Sequence, residues 1–468
     1  MHRRRLLLAL AVPALVVLAL PAAAKPRPPK VVTGLLPGMH NKGVNHDAEP
    51  ALAVAPDGRL WATSNALATG CGRTTNCGSD IWRSRDGGRS WQWVANPFLT
   101  ADPTGNYAMG GGDNDIAVAP VKNSTGHYNV YVASLWVSNT IAVSRDGGES
   151  WEVAPLESTP GTYDLAPSSA PVTPPDLPAN AFADRPWIGA DGACTVLFAY
   201  NEIPGNATVM QKYDACQPAL VKNGATVPFQ DTNVLGKVSG RFIVDTSPAS
   251  KHAHAIYYPA VVNHNVVVQV STDGLTWTTH TVGPFSEDNS TVPIWPVTAA
   301  TDSAGRLYVT WHDTEFAFFA SSADAGAHWT KPLRLNASGS TAVYPTVAAG
   351  ASGVVTILWY GTGREGPAND VEQMGAPGKG SAKWQVYETR STDAGRSWTR
   401  AVAITGTVHR GIVCVGGGGC ARDGSRNLLD DFGVVMLPHT GRVASVFTTD
   451  QPGGTRQDRK TGFVTDVA

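Results

Sequence analysis

The chain has 468 residues, of which only 16% are charged, and it carries 49 Gly, 33 Pro and 14 Trp. Its formal charge is −2 and no block of Lys or Arg follows the N-terminus, which excludes a nucleic-acid backbone or an anionic membrane surface as partner. So many turn formers and aromatics among so few charges describe a chain of many turns and aromatic packing.

Residues 1–24 read as a secretory signal. His2-Arg3-Arg4-Arg5 is basic, Leu6 to Leu20 is apolar, and Ala22-Ala23-Ala24 is a small-residue cleavage site. Its removal takes three Arg and leaves 33 basic against 38 acidic residues, a charge of −5. A secreted, extracellular protein is expected, with no membrane span after cleavage, because no later segment is long and apolar enough. Residues 25–44 form a linker in which Lys30-Val31-Val32-Thr33 could act as a closing strand. Residues 45–468 form one domain.

Two repeats organise that domain. The first is Ser84-Arg85-Asp86-Gly87-Gly88-Arg89-Ser90-Trp91, copied nearly unchanged from Ser144 through Asp146 to Trp151. It returns, with the same skeleton, around Asp324 and Trp329 and around Asp393 and Trp398; a version one residue shorter holds Asp273 and Trp277. Each copy separates two short apolar runs, so S-x-D-x-G-x-x-W reads as a hairpin turn. Asp and Ser bond loop N–H groups, Gly supplies a positive φ, and Trp packs over the turn. The Asp positions 86, 146, 273, 324 and 393 are 60, 127, 51 and 69 residues apart. The long step is two units with one decayed copy. Units of roughly 50–70 residues holding four strands are propeller blades.

The second repeat is the opening of each unit, a polar residue before an apolar strand. Openings begin at Glu49-Pro50, Asp115, Asp184-Arg185-Pro186, Arg241, Trp295-Pro296, Tyr344-Pro345 and Asp431. The expected fold is therefore an all-β propeller of four-stranded antiparallel blades. Seven openings give seven blades, or six if one is an insertion. The last unit lacks a fourth strand, so strands from both termini would close the ring and leave no free edge.

Six cysteines suit an exported protein. Proximity suggests Cys71–Cys77, Cys194–Cys216 and Cys414–Cys420, one connectivity among many. Cys194 and Cys216 flank the strand pair where the decayed Asp turn should be, so that bridge would replace the turn.

The 1–2 and 3–4 turns of a blade share one face, here the face of the Asp turns. The long segments 66–79, 155–182, 361–383 and 407–429 fall on the other, which marks it as the working face. There the strand-1 openings converge near the axis: His46, Asp47, Glu49, Asp113 to Asp115, Asp184, Arg185, Arg241, Trp295, Tyr344, Asp430 and Asp431. Strand-2 ends add Tyr200, Glu202, Trp311, His312, Asp313, Glu315 and Tyr360. Carboxylates crowded with Arg and aromatics describe a sugar site: acids for proton transfer, Arg for an anion, Trp or Tyr for stacking on a pyranose face. Trp187, two residues past Arg185, joins Trp295 as an aromatic candidate, and Asp115 and Asp431 join the Arg residues as polar ones. No cofactor or metal is assigned. Calcium stays open at Asp113-Asn114-Asp115, which lacks EF-hand spacing.

The five S-x-D-x-G-x-x-W turns resemble the Asp-box, or BNR-repeat, superfamily of propellers, whose best-known enzymes are bacterial sialidases, and the resemblance covers residues 45–468. It implies a candidate exo-glycosidase acting on extracellular glycans; propellers that bind a glycan or a protein without catalysis carry the same boxes. Sialidases hold a carboxylate with three Arg and use a Tyr nucleophile helped by a Glu, with an Asp as acid–base. Carried over, Tyr344 would be the nucleophile and Glu202 its Glu partner, with Asp184 and Glu49 as further catalytic candidates and Arg185 and Arg241 as anion contacts. The family's first Arg opens a blade where this chain has Asp47-Ala48-Glu49-Pro50. The Pro matches and the Arg does not, which weakens any carboxylate clamp. A carbohydrate or glycoconjugate ligand and a monomeric protein are expected.

Overall fold

A computed structural model describes residues 29–38, 48–65, 78–98, 112–135, 139–155, 183–202, 207–216, 220–222, 227–229, 240–285, 297–416, 420, 423–430, 432–455 and 458–467. Their strands form seven antiparallel sheets, and the fold is a seven-bladed propeller. Blade 1 runs Ala48–Val54, Leu60–Asn65, Ser79–Ser84 and Gln92–Ala95. Blades 2 to 6 open on Asn114–Val118, Ala183–Asp191, Ile243–Val244, Val297–Thr301 and Thr341–Ala349. In blades 3 and 6 the outermost strand is split in two.

Blade 7 combines Gly433–Met436, Val443–Thr449 and Lys460–Asp466 with the N-terminal strand Val31–Leu35. The closing register pairs Val31 with Asp466 and Leu35 with Gly462. Leu36 N–H to Thr461 O at 3.0 Å and Val467 N–H to Lys30 O at 2.9 Å extend it at either end. The N-terminal strand completes this blade to four strands and forms its outer edge, so blade 7 ends on a short edge strand.

The described core divides into seven apolar clusters, each lying between two neighbouring blades. Trp61 and Ile81 of blade 1 pack with Ile116 and Val132 of blade 2, for example, and Leu52 and Leu60 pack with Val446 and Phe463 of blade 7. A blade interior to such a ring is buried on both faces, which is why Leu60–Asn65 is buried along its whole length.

The Asp turns tie these sandwiches together. In blade 6 the Ser391 hydroxyl donates to Asp393 at 2.7 Å and accepts from Gly395 N–H at 2.8 Å, while Ser397 N–H donates to Asp393 at 2.9 Å. The tryptophans reach further than their own turns. Trp91 lies 6.2 Å from Phe463 of the preceding blade, Trp151 6.4 Å from Trp61, and Trp398 4.8 Å edge-on to Phe319. Gly148 shows why glycine is required: at φ +93° a Cβ would come within 2.4 Å of the Trp61 ring. Arg83 of the third strand of blade 1 and Arg145, just past the third strand of blade 2, add polar ties to the next blade, to Gly147 O and Ala215 O, both at 2.7 Å.

Cys194 and Cys216 are bridged with Cα atoms 5.1 Å apart beside the paired residues Thr195 and Asp214, where the decayed turn was expected. Cys414 and Cys420 are bridged at 5.9 Å. Cys71 and Cys77 lie outside the described residues, as does the signal segment. Among the described residues no helix is long and apolar enough to cross a membrane.

Candidate functional site

The first strands of all seven blades surround an axial cavity of about 360 Å³, walled by small residues such as Ala51, Gly189 and Thr298 and bordered by Arg241, Tyr344 and Asp430. The propeller delivers polar side chains to it by one repeated backbone device. In blades 1, 3 and 6 the pairing of strands 1 and 2 slips at a bulge, between Ala48 and Ala51, Asp184 and Trp187, and Val343 and Thr346. Each bulge contains an X-Pro pair, Glu49-Pro50, Arg185-Pro186 and Tyr344-Pro345. Proline lacks the N–H that a regular ladder would need there. The preceding residue is left-handed in all three, with φ of 51° for Glu49, 63° for Arg185 and 50° for Tyr344. This conformation costs a non-glycine residue about 1–2 kcal/mol, and bulges of this kind re-aim a side chain. Three of the candidates chosen from sequence thus share one strained geometry.

Their side chains meet around Asp430, which is fully buried. Arg185 lies between two carboxylates, Asp113 at 3.3 Å and Asp430 at 3.2 Å. Arg426 grips Asp430 with two nitrogens, Nε at 3.2 Å from Oδ1 and Nη2 against Oδ2. Burial opposes the Asp430 charge, but Arg426 and then Arg185 outweigh it and hold its carboxyl below the ordinary range. Glu49 accepts from Asn65 Nδ2 at 2.6 Å, its backbone N–H donates to Thr448 Oγ1 at 3.2 Å, and its carbonyl accepts from Asn114 Nδ2 at 3.2 Å.

Tyr344 is 3% exposed and its hydroxyl has no hydrogen-bond partner among the described residues. Burial, and after it the charge of Asp430, pushes this phenol well above 10; Arg426 and Arg185 oppose that shift and Glu49 adds to it. The His312 ring stands edge-on to it at 5.1 Å. His312 Nδ1 donates to the Asp313 carbonyl at 2.5 Å, and burial lowers its pKa to about 3, so a neutral ring faces Tyr344.

Other candidates are placed differently. Asp115 accepts from Ile116 N–H at 2.8 Å and Ile188 N–H at 2.9 Å, and pairs with Arg241 at 2.8 Å. Burial raises it to about 6 against those contacts. This cluster spans blades 2, 3 and 4 and serves as an inter-blade tie beside the cavity. Asp113, Asn114 and Asp115 therefore turn to three different partners rather than to a common point. Trp187 packs with Leu197, Phe242 and Tyr258 in the core between blades 3 and 4. Asp184 and Glu202 lie on adjacent paired strands, opposite Asn201 and Ala183, and their side chains fall outside the described part. Trp295 and Asp431 also lie outside it.

Arg426 is the site residue that strand openings could not reveal, because it sits in an irregular segment before blade 7. Its only sequence signal is the Arg-x-x-x-Asp spacing to Asp430.

Among the groups brought together, Tyr344 can supply a nucleophilic or hydrogen-bonding oxygen, Glu49 a carboxylate beside it, and Arg185 and Arg426 fixed positive charge.

No protein-family model matches this chain, and no curated protein matches its sequence. Solved propellers of glycan-active enzymes are similar to it in shape. An α-L-arabinofuranosidase of Fusarium graminearum, solved as a mutant in complex with an iminosugar inhibitor, is 14% identical over 67% of this chain and 88% of its own, with a TM-score of 0.44. A Penicillium chrysogenum α-L-arabinanase complexed with arabinobiose is 13% identical over 93% and 97%, at 0.41. A Hadza microbial sialidase is 17% identical over 67% of this chain and 63% of its own, at 0.42. The likeness is distant, and no residue role is transferred from it.

Proposed function

We propose that the chain is a secreted, sialidase-like exo-glycosidase acting on extracellular glycans through the mouth of the axial cavity, on the face opposite the Asp turns. The observation that carries this reading is Tyr344: a buried phenol whose hydroxyl has no hydrogen-bond partner among the described residues, held on a strained bulge among Arg185, Arg426, Asp430 and Glu49. Tyr344 is the nucleophile toward the anomeric carbon. Glu49 is the carboxylate that assists it: it stands on a matching bulge of blade 1, and its charge reaches the phenol. Asp184, next to Arg185 in sequence, is the acid–base group.

The substrate is an uncharged sugar unit. Arg185 and Arg426 are already engaged by the carboxylates of Asp113 and Asp430, so a substrate carboxylate would have to compete with these acids for the two guanidinium groups.

One observation favours a second reading, a propeller that binds a glycan without cutting it. The Tyr344 phenol sits well above 10 and stays protonated until a base takes its proton, and a protonated phenol is a good hydrogen-bond donor to a sugar. A panel of chromogenic glycosides, with neutral furanosides and pyranosides beside a sialoside, separates the two. Release from a neutral glycoside with the sialoside inert supports the enzyme. An inert panel combined with binding on a glycan array leaves only the binder.

A further inference from the structure

The residues that deliver Arg426 and Asp430 belong to neither strand nor helix. Segment 423–430 is held by few backbone bonds, Cys414 N–H to Ser425 O at 2.9 Å and Asn427 N–H to Gly424 O at 3.2 Å among them, and Leu429 in it is left-handed at φ 59°. Side-chain anchors must therefore fix its shape, and one of them is a buried network. Asn427, the neighbour of Arg426, donates from Nδ2 to Asp450 Oδ2 at 2.8 Å and to Gly454 O at 3.1 Å. The same Asp450 oxygen lies 2.8 Å from His409 Nδ1, and Gln451 Nε2 donates to the other oxygen at 2.9 Å. A carboxylate only accepts, so His409 Nδ1 is the donor. His409 Nε2 stands 3.0 Å from the Ile412 carbonyl. His409 and Asp450 are fully buried and Asn427 is 3% exposed.

Each member comes from a different place. His409 lies on a short strand paired with the third strand of blade 6, opposite Trp384; Asp450 follows the second strand of blade 7; Asn427 belongs to the irregular segment. A buried carboxylate is costly unless its donors are all in place, so the three elements are locked in one arrangement. We propose that His409, Asp450 and Asn427 are positioning residues, which act through Arg426 and Asp430 to fix the charges around Tyr344. The link is covalently direct on one side, since Arg426 and Asn427 are adjacent. On the other it is Asp430, four residues from Arg426, which holds Arg185 at 3.2 Å.

For its kinetic readout this proposal rests on the glycosidase reading, so a second readout is independent of turnover. His409→Leu removes the donor to Asp450, and His409→Asn keeps an N–H near the Nδ1 position. Kinetics on the best chromogenic glycoside should show kcat about 100-fold lower in His409→Leu, the scale of a catalytic group displaced by an ångström, with KM little changed and most of the loss restored in His409→Asn. In parallel, phenylglyoxal labelling followed by peptide mass spectrometry should show Arg426 reacting faster in His409→Leu than in the wild type, with Arg59 unchanged as a surface control. If no glycoside is turned over by the wild type, the glycosidase reading fails and the labelling alone decides the positioning claim. Unchanged Arg426 labelling in His409→Leu overturns it, as does equal loss of kcat in the Leu and Asn variants. Should His409→Leu fail to fold, Asn427→Ala, which removes the anchor beside Arg426, must give the same faster labelling, and its failure to do so counts against the proposal equally.

Discussion

The two faces of this propeller use their polar residues in opposite ways. On the face of the Asp turns, carboxylates are satisfied locally: Asp393 receives bonds from the Ser397 hydroxyl and N–H and from the Ser391 hydroxyl, which hold it at about 2. Left-handed positions there fall mostly on glycine, as at Gly87, Gly88, Gly147 and Gly148. On the opposite face Glu49, Arg185 and Tyr344 occupy left-handed backbone without being glycine, and the Tyr344 hydroxyl is buried with no partner among the described residues. One face is built to be stable and is therefore repeated. The other departs from the repeat, carries strain, and gathers charge, which is where function is to be sought.

The sharpest way to break this contrast is Tyr344→Phe. It should cut kcat on a neutral glycoside by about 10³-fold or more, as loss of a nucleophile does, while leaving the protein as stable or up to about 1 kcal/mol more so, because an unsatisfied buried hydroxyl is removed. Chemical denaturation beside the kinetics checks both halves. A destabilised Phe variant would show that the hydroxyl serves the fold.

On the turn face the largest stability effect is expected at Gly148→Ala. A methyl 2.4 Å from Trp61 on a backbone at φ +93° should cost about 3 kcal/mol, from overpacking and left-handed strain together, read as a lower urea midpoint without loss of activity per folded molecule.

A smaller test addresses the strain itself. Glu49→Ala and Glu49→Gly both remove the carboxylate and should be equally inactive, yet the Gly variant should be more stable by about 1 kcal/mol. Equal stabilities would mean that the left-handed bulge at Glu49 carries no strain.

The smallest effect concerns pH. Asp393 has a folded pKa depressed to about 2, below its unfolded value, so its contribution is fully present above about pH 4 and is lost as pH falls toward 2. The melting temperature of Asp393→Asn should lie below that of the wild type at about pH 6, and the gap should shrink to roughly a third by about pH 2.5 and keep closing as pH falls through about 2. A gap that stays constant would mean that the Asp393 charge contributes nothing to the turn.

Much of this contrast was legible in the sequence. The Asp turns repeat a fixed local hydrogen-bond pattern, so their spacing marked out the blades, and the unmatched strands at both ends indicated the closure through Val31–Leu35. The X-Pro openings at Glu49, Arg185 and Tyr344 were visible too, although their left-handed backbone was not, because it depends on strand pairing across the blade. Asp115 and Trp187 had the right residue types at the right openings, and only the packing of blade on blade shows them committed to a tie and a core. Arg426 was out of reach for a different reason. It is set by a buried network of three residues drawn from distant segments, and no local pattern records such a meeting.

The central claim, that Tyr344 is the reacting group of a glycosidase site, has one direct measurement. A neutral glycoside that the protein hydrolyses is presented as its 2-fluoro derivative with an activated leaving group, and the trapped protein is mapped by peptide mass spectrometry. A glycosyl adduct on Tyr344, absent from Tyr344→Phe, is the predicted result; an adduct on a carboxylate, or none with a sugar the protein demonstrably hydrolyses, would contradict it.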